Sequence, residues 1–155
     1  MAVSERDRRQ AQVAHVLSRA VRDGEVAPAD ALRILRHALR RRNTNMARKI
    51  ATRSAAAQRV IDKYGAENVP KNASGDALHA DHVYPLTEED LRRNDTLALW
   101  VEAMRRLRTV VCVTADENYR LMRSEQHGVT GPAKYVDADI VFTTQELPWH
   151  TAVSA

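Results

Sequence analysis

Cysteine is nearly absent: Cys112 is the only one in 155 residues. An internal disulfide is therefore excluded, and the usage fits a reducing cytosol. Cys112 lies in an apolar strand-like run, which reads as a buried, inert thiol. Aromatic residues make up only 5% of the chain, so a core must be built from Ala, Leu, Val and Ile. No apolar run approaches the length of a membrane span, and the N-terminus has no apolar signal region. A cytoplasmic location with no membrane partner is the expectation. The five glycines are scattered at 24, 65, 75, 128 and 131, so no Gly-rich phosphate loop exists. No serine stands in a nucleophile-elbow context, and one cysteine leaves structural zinc without its usual ligands.

Charge is plentiful and uneven. Residues 1–64 hold 15 Lys and Arg against 6 Asp and Glu, whereas residues 65–155 hold 9 against 14. Such a split suggests that a basic half neutralises phosphates while an acidic half holds a metal or a protein partner.

The hydrophobic spacing predicts helices over 4–23, 28–42 and 45–64. Ser4 is the expected N-cap of the first and Pro28 opens the second. In the second, Ala31, Leu32, Leu35 and Leu39 share one arc, with Arg33, Arg36 and Arg40 opposite. Arg41, Arg42, Arg48 and Arg59 extend the basic surface. Residues 65–77, rich in Gly, Asn and Pro, read as a loop and a boundary. A strand at 78–84 follows, then a short helical turn capped by Thr87. A helix at 96–107 comes next, capped by Asn94 or Asp95 and anchored by Trp100. A second strand covers 109–113. Thr114 and Glu117 form a capping box that opens a helix at 115–125. Gly128, Gly131 and Pro132 end regular structure, apart from an edge strand at Ile140–Thr144.

One stretch reads as chemistry first. In Leu78-His-Ala-Asp-His-Val-Tyr-Pro-Leu86, three ionisable side chains sit inside an apolar, β-prone segment. Strand alternation turns His82 away from Asp81, unless a bulge brings the two to a common edge. His79 shares the Asp81 face, as a further ligand or a plain exposed histidine. An Asp-His pair can supply a metal ligand and a general base.

The run Asp81-His-Val-Tyr-Pro-Leu86 resembles the first motif of HNH-type nucleases, whose fold is called ββα-metal. Thr109-Val-Val-Cys-Val-Thr114 followed by Ala115-Asp-Glu-Asn-Tyr-Arg-Leu121 looks like the strand and helix that complete such a site. Thr109 stands where the family has a middle Asn. The resemblance implies an α+β fold: an N-terminal helical bundle (1–64), the linker loop 65–77, a ββα core at 78–127 with an inserted helix, and a C-terminal extension at 128–155. It also implies a divalent metal, Mg²⁺ or similar, held by Asp81 with Asn118 or Asp116; His127 is a third possibility for the closing ligand. His82 would be the general base acting on a nucleic-acid phosphodiester, DNA rather than RNA. Arg33, Arg36, Arg40, Arg41, Arg42, Arg48 and Arg59 would hold the backbone. The alternative is a non-catalytic nucleic-acid-binding regulator, or a protein-binding adaptor, on a degenerate frame of the same kind. Size and uneven charge suit a phage-like product.

Overall fold

A computed structural model describes residues 3–39, 44–71 and 74–150. The chain is mixed helix and strand, and it divides into two compact units.

The first unit combines the N-terminal 40 residues with residues 85–108. It contains α1 (Glu5–Arg22), α2 (Pro28–Leu39), α5 (Glu88–Arg93) and α6 (Leu97–Leu107). Capping side chains set the starts of three of these helices. Ser4 Oγ accepts from Asp7 N at 3.1 Å. Thr87 and Asp90 form a reciprocal capping box. Thr96 Oγ1 accepts from Leu99 N at 3.2 Å. Thr96 therefore caps α6 in place of the expected Asn94 or Asp95. The small residues Ala11 and Ala14 of α1 and Ala31 of α2 are buried with Leu35, Leu91, Trp100, Met104 and Leu107. Each large aliphatic buried in this way contributes about 1.5–3 kcal/mol of transfer free energy. Trp100 is fully buried, and its Nε1 donates to Ser18 Oγ at 3.0 Å.

The second unit holds residues 41–84 and 109–155. Its elements are α3 (Thr44–Ala47), α4 (Ala55–Tyr64), β1 (Leu78–His82), β2 (Val110–Thr114), α7 (Ala115–Gln126) and α8 (Ala133–Asp137). β1 and β2 pair antiparallel, from Leu78↔Thr114 to His82↔Val110. Strand alternation sends their side chains to two cores. Leu78, Ala80, Val110 and Cys112 join Ala47, Ile50, Ala57 and Val60 on one face. Val83, Val111 and Val113 join Leu121, Tyr135, Ala138 and Ile140 on the other. Because both faces are covered, Val110-Val-Cys-Val113 reads as an unbroken apolar run. α7 packs across both strands.

Several expected boundaries move. The basic helical region 1–64 is not one body, because α4 packs on β2 while residues 85–108 pack with α1 and α2. The predicted helix at 45–64 is two helices, since residues 52–54 are held against β2. Cys112 N donates to Thr52 O and Ser54 N to Cys112 O, both at 2.9 Å. Ser54 then caps α4, accepting from Ala57 N at 3.0 Å. The expected edge strand at Ile140–Thr144 reduces to a bridge between Ser54 and Phe142. α8, unforeseen in the C-terminal extension, follows Pro132, whose fixed φ suits a helix start. The charge split also dissolves. The first unit carries 13 Lys and Arg against 10 Asp and Glu, and the second 11 against 10. No described helix is long and apolar enough to cross a membrane.

Candidate functional site

The β1–β2 register carries one residue against one from end to end, with no bulge. Asp81 and His82 therefore point to opposite faces of β1. Asp81 pairs with Val111, on the face covered by α7 and α8. His82 pairs with Val110, on the face of Leu78 and Cys112.

Asp81 is only 12% exposed, and both its carboxylate oxygens are engaged. Tyr135 Oη donates to Oδ2 at 2.5 Å. The Lys134 ammonium lies 3.2 Å from Oδ1 and 3.0 Å from Oδ2. Lys134 is itself 1% exposed. It also donates to the His82 carbonyl at 2.8 Å and to Glu125 Oε1 at 2.7 Å. One lysine thus ties β1, α7 and α8 together. A buried ammonium in fewer hydrogen bonds would be strongly unfavourable. Tyr135 is held in turn by its ring, which stacks on Trp149 at 5.2 Å and meets Phe142 edge-on at 5.3 Å. Burial raises the Asp81 carboxyl above its ordinary range, and the Lys134 charge opposes that rise. Burial, then the Asp81 charge, pushes the Tyr135 phenol upward, so it stays a proton donor.

The other expected ligands lie elsewhere. Asp116 is exposed on the first turn of α7, beside the Leu78↔Thr114 end of the ladder. That end is three residues from Asp81, roughly 10 Å along a strand. Asp116 N donates to Gly75 O at 3.3 Å. A Cβ on Gly75 would come within 2.6 Å of Asp116 Oδ2, so a larger residue there would require the exposed Asp116 carboxylate to swing aside. The Asn118 amide donates to Met122 Sδ at 3.9 Å. The α7 residue that reaches the Asp81 neighbourhood is Glu125, two turns further on. His79 is exposed on the Asp81 face, and His127 is exposed at the C-terminal cap of α7. Among the described residues, no three His, Cys, Asp or Glu side chains gather as a metal-holding group. The residues expected to hold a divalent metal do not converge: the Asp81 oxygens face an ammonium and a phenol, Asp116 stands at the other end of the ladder, and Asn118 is turned to Met122. The expected base, His82, lies on the opposite strand face from Asp81.

Three of the expected phosphate contacts are held by the chain itself. Arg33 pairs with Asp30 at 2.8 Å, Arg36 donates to Leu86 O at 2.9 Å, and Arg48 pairs with Glu67 at 2.7 Å. Arg59 is exposed on α4. Arg40, Arg41 and Arg42 lie outside the described residues. Exposed cations that sequence reasoning left aside include Arg6, Arg8 and Arg19 on α1 and Lys49 after α3. Lys134, Tyr135 and Glu125 were also missed. The available signal was a lysine and a tyrosine two and three residues after Pro132, a helix start.

No family model, no curated protein and no solved structure matches this chain.

Proposed function

We propose that this chain is a non-catalytic nucleic-acid-binding protein on an HNH-like strand–strand–helix frame, in which a lysine takes the place of the metal. The observation that carries this reading is the commitment of Asp81 to Lys134 and Tyr135. Lys134 and Tyr135 already engage both Asp81 oxygens, and the ammonium charge beside them disfavours a second cation there. The order of β1, β2 and α7 supports the frame.

Binding is assigned to exposed cations. Arg6, Arg8, Arg19, Arg59 and Lys49 are exposed. The chain as a whole carries a net charge of +4. Exposed cations on each unit neutralise phosphates without reading sequence, and DNA is the intended polyanion. The buried thiol of Cys112 suits a cytoplasmic setting. A protein partner in place of nucleic acid is the competing outcome of the same experiment. Fluorescence anisotropy with labelled duplex DNA should show binding that weakens steeply as salt rises. Plasmid incubated with Mg²⁺ or Mn²⁺ should stay intact. Absence of binding at low salt would remove the nucleic-acid reading and favour a protein-binding adaptor.

A further inference from the structure

The Lys134 ammonium has three N–H donors, and three protein groups receive them. The Asp81 carboxylate and the His82 carbonyl come from β1, and the Glu125 carboxylate comes from α7, at 2.7–3.2 Å. The cation itself is 1% exposed, whereas Glu125 is 42% exposed. The groups around it are therefore a built hole, with one side near water. Two carboxylates face a single positive charge, and the neutral Tyr135 hydroxyl also donates to Asp81.

We propose that Lys134 is the core's own tethered cation, filling an oxygen-lined hole that accepts a small free cation once the lysine side chain is cut back. The hole is defined by Asp81, Glu125 and the His82 carbonyl, and its ligand class is a primary alkylammonium or Ca²⁺. Cutting Lys134 to Ala removes three carbons and the nitrogen, which propylammonium supplies again as a free molecule. Ca²⁺ tolerates irregular oxygen sets at about 2.3–2.6 Å and completes its shell with water, whereas Mg²⁺ demands a near-ideal octahedron. A divalent ion would also balance both carboxylates.

The test is thermal unfolding of the full chain, wild type and Lys134→Ala. Each is titrated with propylammonium chloride, CaCl₂, or tetramethylammonium chloride at matched ionic strength. Tetramethylammonium carries the charge but has no N–H. The expected result is a saturable rise in the variant's midpoint with propylammonium and with Ca²⁺, with none for tetramethylammonium. The wild-type midpoint should not respond, because the hole is filled. If Lys134→Ala does not fold in buffer, the same titration is run in a stabilising osmolyte. A folded variant that ignores propylammonium and Ca²⁺, or responds equally to tetramethylammonium, overturns the proposal.

Discussion

Lys134 Nζ sits 3.0 Å from Asp81 Oδ2, a pairing between residues 53 positions apart that fastens α8 to β1. Removing one partner of a buried pair leaves an uncompensated charge, which costs about 3–5 kcal/mol. Lys134→Met should lower stability by about that amount in urea unfolding. The double variant Asp81→Asn with Lys134→Met should recover a large part of the loss, because the buried Asp81 charge is gone and the remaining Glu125 carboxylate is 42% exposed. Equal additive losses would show that the two side chains are not coupled.

Acidity bears on the same pair. The Asp81 carboxyl is raised above its ordinary 3.8 chiefly by burial. The folded state therefore holds this proton to higher pH than the unfolded state does. The group's contribution is full below the unfolded value and is lost as pH rises through the folded one. Asp81→Asn should remove that downward slope from a plot of urea midpoint against pH, starting at about pH 4. Parallel profiles for wild type and variant would contradict the assignment.

The Cys112 thiol is buried, and burial pushes it up to about 12. The thiolate is the reactive form, so the native protein should resist iodoacetamide at pH 8. Alkylation should appear with the unfolding transition in urea. Rapid modification of the native chain would mean that the Leu78–Cys112 face of the hairpin opens.

In the other unit, the Trp100 indole N–H is satisfied by Ser18 Oγ at 3.0 Å. Ser18→Ala leaves a buried donor without a partner and should cost about 1–3 kcal/mol. The same change in a Trp100→Phe background should cost much less, since no indole donor remains. Chemical denaturation of the four proteins measures both values.

Local chemistry in the sequence foretold most of the helices. Ser4, Pro28, the Thr87–Asp90 box and the Thr114–Glu117 box are start signals whose partners lie within a turn, so a linear reading finds them. The break before Ser54 was hidden because its cause is long-range: residues 52–54 bond to Cys112. The union of residues 85–108 with the N-terminal helices was hidden for the same reason, because Trp100 meets Ser18 only in the folded chain. At the candidate site, Asp81 and His82 were found as a pair and their opposite faces follow from strand period alone. Their partners were not foreseen. Nothing within ten residues of Asp81 announces Lys134, and a lysine in a terminal segment reads as solvated until packing buries it.

The most direct measurement is plasmid nicking with Mg²⁺, Mn²⁺ or EDTA, with His82→Ala alongside and DNA binding followed across a salt series in the same preparations. The expected result is intact plasmid under every metal condition, with salt-sensitive binding that His82→Ala leaves unchanged. Metal-dependent cleavage that disappears in His82→Ala would contradict it and would make this chain a working nuclease.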